Sequence, residues 1–116
     1  MTMVIKLQEK EGIKIARLAE LSRFTLSITE EIKNELKPLL SIPKTKLILD
    51  LEDITFIDSS GIGCIISLVK TAKSNDSTFK ICCLNKDVAT VFDLLHLQMI
   101  LDIYPDVEAG IQSFRE

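Results

Sequence analysis

The residues best suited to chemistry form the run Asp58-Ser59-Ser60-Gly61, where one apolar segment ends and another begins. Asp and Ser are favoured helix N-caps, because their side-chain oxygens accept hydrogen bonds from unpaired backbone N–H groups and stabilise the helix by about 1 kcal/mol. Local chemistry therefore favours a helix cap. The same hydroxyls could instead serve as a nucleophile, line an anion site or accept a phosphoryl group.

A catalytic serine needs a general base, and His96 is the only histidine in the 116 residues. It stands between two leucines at the end of an apolar helical segment, which is typical of a helix C-terminus. The sequence also lacks the GxSxG elbow of serine hydrolases and the GxxxxGK[ST] pattern of phosphate-binding loops. We therefore expect no enzymatic activity, although a helix N-terminus still attracts anions or nucleotides.

A modified serine is the third possibility. A phosphoserine carries about −1.5 to −2 charges at pH 7, and the dipole at a helix N-terminus offsets part of this by about 0.3–1 kcal/mol. Unfolding of the helix is therefore not expected. Beside Asp58, and near Glu52 and Asp53 in the sequence, a phosphate would instead repel a protein partner, since like charges across an interface cost several kcal/mol.

Metal, cofactor and nucleic-acid binding have little support. Cys64, Cys82 and Cys83 lack CxxC spacing and lie in apolar runs, so we expect reduced core residues. One histidine is too few for the usual metal sites, and neither a metal nor a cofactor is predicted. A net charge of −3 and the absence of a basic stripe disfavour nucleic acid and anionic membranes as partners.

The N-terminal residues lack the charged, apolar and small-residue regions of a signal peptide. No apolar run approaches the roughly 20 residues that span a bilayer. A cytoplasmic location is expected.

The first third of the chain predicts a β-hairpin followed by a helix. Apolar and polar residues alternate over residues 4–18, on both sides of a glycine-containing turn, which indicates paired strands with one buried face. LSRFTLSIT is expected to be an irregular approach to the helix. Thr29 is the predicted N-cap, with Glu30 and Glu31 in the first turn, where the dipole favours acids. We expect the helix to end just before Pro38, or to kink there.

The remainder alternates strands with helices. The nearly continuous apolar run TKLILDL predicts a central strand covered on both faces, and the apolar spacing after Asp58 predicts an amphipathic helix over residues 59–74. STFKICCL and MILDIY are predicted strands, and NKDVATVFDLLHL and PDVEAGIQSF are predicted helices. The order ββαβαβαβα implies an α/β fold, with helices packed against a small mixed β-sheet in one domain over residues 1–116.

Residues 47–73, LILDLEDITFIDSSGIGCIISLVKTAK, closely resemble the signature of STAS domains, in particular the bacterial anti-sigma-factor antagonists. In that family a central strand ends in an acid-containing loop, and D-S-[ST/A]-G-[LI]-G opens a helix. A looser resemblance covers the opening hairpin and the C-terminal half. The resemblance implies a STAS-like fold for the whole chain.

The resemblance also implies a function. The unphosphorylated domain would bind an anti-sigma factor with serine-kinase activity and so free the sigma factor. That kinase would phosphorylate the first serine of the run, here Ser59, and end the association, and a PP2C-type phosphatase would restore the binding form. The partner-binding residues carried over from the family are Asp58, Ser59, Ser60, Gly61, Ile62, Gly63 and Ser22.

One segment departs from the family pattern. The family usually has G-x-[LI]-D, whose aspartate lies beside the phosphoacceptor, whereas this chain has Ala19-Glu20-Leu21-Ser22. Ser22 thus stands where aspartate is expected. This favours an alternative function, a STAS-like binding module that is not phosphorylated and acts as a complex subunit or as a small-ligand or nucleotide sensor.

Overall fold

The computed structural model describes residues 5–115, so Val4, where the predicted hairpin begins, lies outside the described residues. The elements follow the predicted alternation, with additional short strands. In chain order they are β1 (Ile5–Lys10), β2 (Ile13–Leu18), β3 (Arg23–Phe24), α1 (Leu26–Leu40), β4 (Lys46–Asp50), β5 (Phe56–Ile57), α2 (Ser59–Ser74), β6 (Thr78–Cys82), α3 (Lys86–Leu94), a 3₁₀ turn (Leu97–Met99), β7 (Asp102–Tyr104) and α4 (Val107–Phe114).

Within residues 5–115 the main sheet has five strands in the order β1-β2-β4-β6-β7. The hairpin strands β1 and β2 are antiparallel, and each further pairing is parallel. Parallel neighbours need crossover connections, which α1, α2 and α3 provide. The predicted order ββαβαβαβα and the mixed α/β sheet are confirmed.

Strand β4 lies at the centre and supplies both cores. Leu47 and Leu49 belong to the larger core with side chains from α1, α2 and α3. Ile48 belongs to a smaller core with Ile111 of α4. Because successive strand residues point to opposite faces, α4 covers the sheet face opposite the other helices. The apolar run TKLILDL is therefore covered on both faces, as predicted.

The entry to α1 differs from the prediction. Its N-cap residue is Thr25, not Thr29, and its first turn contains no acid. Thr29 is buried, and its hydroxyl donates to the carbonyl oxygen of Leu26 at 3.2 Å. Since α1 begins earlier than expected, Glu30 and Glu31 lie beyond the first turn. The segment predicted to be irregular also contains β3, which pairs with β5 in a separate two-stranded ladder.

Of the two outcomes expected at Pro38, an end of the helix does not occur, because α1 continues through Pro38 to Leu40. Proline removes one backbone N–H donor, so the last turns of α1 lose one helical hydrogen bond. The backbone N–H and the hydroxyl of Ser41 both donate to the carbonyl oxygen of Lys37, at 3.0 and 2.8 Å. Leu36 and Leu40 are buried on either side of the proline. Their burial and the Ser41 cap outweigh the missing hydrogen bond.

Candidate functional site

The serine turn lies between β5 and α2, and α2 begins at Ser59 as predicted. Asp58 is its N-cap, with extended backbone, and its Oδ1 accepts a hydrogen bond from the Gly61 N–H at 3.0 Å. The Asp58 carbonyl oxygen accepts from the Ile62 N–H at 3.0 Å. The predicted cap is therefore confirmed.

Gly61 allows the first turn of α2 to pack directly on the neighbouring strands. A Cβ at this position would lie 2.5 Å from the Phe24 carbonyl oxygen and 2.7 Å from Cγ1 of Ile57. Real Cβ atoms do not approach so closely, and both neighbours belong to the β3–β5 ladder. A side chain at position 61 would push α2 away from that ladder.

The β3–β5 ladder brings Ser22 to the strand that leads into the serine turn. The Ser22 carbonyl oxygen accepts hydrogen bonds from the backbone N–H groups of Thr55 and Phe56, at 2.8 and 3.2 Å. One step further, the Asp58 N–H donates to the Phe24 carbonyl oxygen at 3.3 Å. Backbone hydrogen bonds thus connect residues 22–24 with residues 55–58, more than 30 positions further along the chain.

Exposure divides the residues that the family resemblance assigns to partner binding. Gly61 and Ile62 are buried, and they hold the start of α2 against the core. The others reach solvent: Ser22, Ser59 and Gly63 are exposed, and Asp58 and Ser60 are partly exposed. We name this exposed set the serine surface; it consists of Ser22, Asp58, Ser59, Ser60 and Gly63.

Gly63 has surroundings unlike those of Gly61. A Cβ added at position 63 would meet no atom within 4 Å. Ser59 and Gly63 are four residues apart in α2, so they lie on the same helix face. Glycine inside a helix costs about 0.5–1 kcal/mol of stability relative to alanine. Packing against the described residues gives no reason for a glycine at position 63.

The sequence did not single out Arg23 and Phe56, which border the serine surface. They are paired across the β3–β5 ladder, and the Arg23 guanidinium carbon lies 4.1 Å from the centre of the Phe56 ring. Both are exposed. Strands of two residues have no measurable periodicity, so only the resemblance to the family at Ser22 pointed to this region.

The negative charges near the serine turn are partly neutralised by Arg17. Arg17 donates to both carboxylate oxygens of Asp53 at 3.0 Å and lies 4.0 Å from Glu52. The hydrogen bonds to Asp53, and then its charge, raise the pKa of the Arg17 guanidinium. Asp58, next to Ser59, forms no ion pair with the described residues.

The remaining candidates for chemistry lie elsewhere. His96 is exposed just after α3, at a left-handed φ of 56°, at the start of the 3₁₀ turn. Burial raises the pKa of Cys64 and of Cys83 to about 11, and raises that of Cys82 further. All three cysteines are free. Protonated thiols at neutral pH are poor nucleophiles.

Within residues 5–115, one group of side chains has the composition and spacing to hold a metal ion: Asp50, Cys82 and Cys83. No metal site was predicted, because CxxC spacing is absent and strand register, not sequence spacing, brings Asp50 to the two cysteines.

The comparisons with known proteins agree with this fold. A model of the STAS domain family matches residues 4–110. The chain belongs to the STAS family. The solved structure of an anti-sigma-factor antagonist (STAS) domain protein from Planctomyces limnophilus matches this STAS domain with a TM-score of 0.87, at 17% identity, over 97% of this chain and 98% of that one.

Two curated relatives of the STAS domain carry more specific names. The anti-sigma-B factor antagonist of Bacillus subtilis (strain 168) is 26% identical over 105 residues, 90% of this chain and 93% of that protein. The anti-sigma F factor antagonist of Paenibacillus polymyxa is 26% identical over 106 residues, 90% of this chain and 88% of that protein. Both relatives are thus named as anti-sigma factor antagonists.

No helix among residues 5–115 is both long enough and apolar enough to cross a membrane.

Proposed function

We propose that this STAS domain is an anti-sigma-factor antagonist whose unphosphorylated form binds an anti-sigma factor with serine-kinase activity and frees the sigma factor. Phosphorylation of Ser59 ends the association, and a PP2C-type phosphatase reverses it, all in the cytoplasm. The observation that carries the proposal is the position of Ser59: an exposed first residue of α2, on a helix start held by the Asp58 cap and by the close packing of Gly61.

The proposed transfer uses the Ser59 hydroxyl as the substrate. Its oxygen forms a bond to the γ-phosphorus of ATP held by the kinase, the bond from that phosphorus to the bridging oxygen breaks, and ADP leaves. The hydroxyl proton passes to a base of the kinase. This chain has to present the hydroxyl in a fixed place, and the capped helix start supports that role.

The phosphate acts on the partner and leaves the fold intact. At the first position of α2 it is favoured by the helix dipole and the free N–H groups. It also adds about two negative charges next to Asp58, on the surface that the partner would cover. Each 1.4 kcal/mol of repulsion lowers affinity tenfold, so one phosphate is enough to release the partner.

Gly63 supports a close approach by that partner. It is exposed one turn after Ser59, and the described residues leave open space where its Cβ would lie. Glycine is used where another backbone or a ligand must come close. The Gly63→Ala variant should therefore bind the anti-sigma factor more weakly although its own fold is not weakened.

Intact-mass spectrometry tests the phosphorylation. The chain is incubated with an anti-sigma factor kinase and Mg-ATP, and one added phosphate is expected on the wild type and on the matched Ser60→Ala variant. The Ser59→Ala variant should gain none. A phosphate on Ser59→Ala, or none on the wild type, contradicts the proposal.

Binding is measured with the Ser59→Asp variant. We expect at least about tenfold weaker binding to the anti-sigma factor, with an unchanged thermal midpoint, because an acid is favourable in the first turn of a helix. A loss of thermal stability that matches the loss of binding would make Ser59 a structural residue.

The second candidate is a STAS binding module that is not phosphorylated. Ser22 favours this function, because the acid expected beside the phosphoacceptor is missing. The next residue, Arg23, stacks on Phe56, and both side chains are exposed. Calorimetric titration with GTP, ATP and fatty acids is the test. Saturable binding of one of these, with no phosphate on Ser59, would favour the second function over the first.

A further inference from the structure

The carboxyl ends of two central strands bring together a carboxylate and two thiols. Asp50 ends β4, Cys82 ends β6, and the two are paired in the parallel register. Cys83 follows directly. One ligand atom from each of the three side chains lies within 4.8 Å of the others, and the two sulfurs are 3.0 Å apart.

The backbone at Cys83 is what places its sulfur beside that of Cys82. Successive residues of a strand point to opposite faces, which would separate the two thiols. Cys83 instead has a left-handed φ of 67°, a conformation that costs about 1–2 kcal/mol for a residue with a side chain. Its N–H donates to the Tyr104 carbonyl oxygen at 3.2 Å, which holds the bend.

Asp50 is a buried carboxylate, only 5% exposed. Its Oδ1 accepts a hydrogen bond from the Glu52 N–H at 2.9 Å. Arg17 is its neighbour on β2, but the guanidinium donates to both oxygens of Asp53. Buried carboxylates are normally paired with a cation or coordinate a metal. The charge of Arg17 attracts Asp50, but the hydrogen bonds of its guanidinium go to Asp53.

The cluster can be reached from solvent. Asp50 lines a cleft of about 320 Å³ between the hairpin and the start of α4, and the cations Lys6 and Arg17 line it as well. Cys83 is partly exposed. Solvent therefore borders Asp50 and Cys83, whereas Cys82 is buried behind them.

We propose that Asp50, Cys82 and Cys83 form a binding site for a thiophilic divalent cation of the Zn²⁺ type, with water as the fourth ligand. Thiolate and carboxylate are both zinc ligands, at about 2.3 and 2.0–2.2 Å. A tetrahedral ion at those distances sets two sulfurs about 3.8 Å apart, so the sulfurs have to separate by less than 1 Å from their present spacing. Both thiols release their protons to solvent, so the ion with its three ligands carries the same net charge as Asp50 alone.

The site goes beyond the proposed phosphorylation and does not depend on it. It involves neither Ser59 nor a protein partner, so its test is carried out on the isolated chain. A failed zinc titration leaves the Ser59 proposal standing, and a failed kinase assay leaves the zinc site standing.

Zinc chloride is titrated into the full chain against a chelating dye, with a non-thiol reductant present to keep the thiols reduced. We expect one ion per chain in the wild type and in Cys64→Ser, the matched control, whose thiol is buried in α2 and donates to the Thr29 carbonyl oxygen. Affinity should fall at least tenfold in Cys83→Ser and in Asp50→Asn. A parallel cadmium titration should show the thiolate-to-metal absorption band in the wild type and a reduced band in Cys83→Ser.

Circular dichroism establishes which variants are folded. If Asp50→Asn unfolds, Cys83→Ser decides the matter, because that position is partly exposed. The proposal is overturned if the wild type binds no zinc, if Cys83→Ser binds as tightly as the wild type, or if Cys64→Ser loses affinity equally.

Discussion

Two glycines at the start of α2, Gly61 and Gly63, are separated by one residue and serve opposite purposes. Gly61 is buried against Phe24 and Ile57, with no room for a Cβ, whereas Gly63 faces open space. The first is required by packing inside the chain. The second has no such requirement, which is why we assign it to contact with a partner.

Substitution by alanine should separate the two glycines. Gly61→Ala is expected to lower the free energy of unfolding by about 1–3 kcal/mol, the usual cost of overpacking. Gly63→Ala should raise it by about 0.5–1 kcal/mol, since alanine is the better helix former. Urea denaturation of both variants measures the difference, and equal effects of the two substitutions would contradict the assignment.

The cap at Asp58 has a similar test. Asp58→Ala should lower the free energy of unfolding by about 0.5–2 kcal/mol, because the Gly61 N–H loses its acceptor. Asp58→Asn keeps an acceptor oxygen and should cost little. Thermal unfolding of both variants is the measurement, and a large loss in Asp58→Asn would mean that the charge of Asp58, not its hydrogen bond, stabilises the helix.

The cap of α2 could be predicted from the sequence, whereas the cap of α1 could not. Asp58 directly follows the apolar segment and directly precedes a regular helical pattern. For α1, Thr25 and Thr29 are both plausible caps. The choice is made by the β3–β5 ladder, which fixes where the chain enters the helix, and no local pattern in the sequence reveals that ladder.

At the scale of elements, that ladder is the feature that sequence patterns cannot show. β3 and β5 have two residues each, too few for a period, and Gly61 of α2 packs against both. The resemblance to the family identified Ser22 as a position of interest. The structure adds that the carbonyl oxygen of Ser22 accepts the backbone hydrogen bonds that begin the ladder.

Ser22→Asp tests whether this position serves the surface or the fold. Its side chain is exposed, and the hydrogen bonds to Thr55 and Phe56 use only its backbone. The free energy of unfolding should therefore change by less than about 0.5 kcal/mol, while the phosphorylation rate of Ser59 changes. Urea denaturation and the kinase assay are run on the same preparation. A larger loss of stability would show that the Ser22 side chain supports the ladder.

At the scale of the whole molecule, the apolar run of β4 was sufficient to predict the centre of the sheet. The alternation of strands and helices was sufficient for the order of the elements. The meeting of Asp50 with Cys82 and Cys83 was not predictable, because it depends on the register of β4 against β6 and on the left-handed backbone at Cys83.

The buried thiol of Cys64 makes the fold sensitive to alkaline pH. Burial raises its pKa from 9.0 to about 11, so between these values the unfolded chain loses the proton and the folded chain keeps it. The part of the free energy of unfolding that depends on this thiol should be fully present below pH 9 and be lost as the pH rises towards 11. In that range Cys64 lowers the free energy of unfolding by up to about 1.4 kcal/mol per pH unit.

Urea denaturation between these pH values, for the wild type and Cys64→Ser, isolates the contribution of this thiol from other groups that titrate there. The serine variant should lose stability less steeply as pH rises. Parallel losses in the two proteins would contradict the burial effect.

The packing of Gly61 under β3 has a consequence for how Ser59 is recognised. The hydroxyl has its position only when α2, β3 and β5 are assembled, so a peptide of residues 52–66 has no equivalent shape. A kinase that reads this shape would modify native copies and ignore nascent, misfolded or degraded ones. The phosphorylated fraction would then report the concentration of the folded STAS domain, not the amount of polypeptide synthesised.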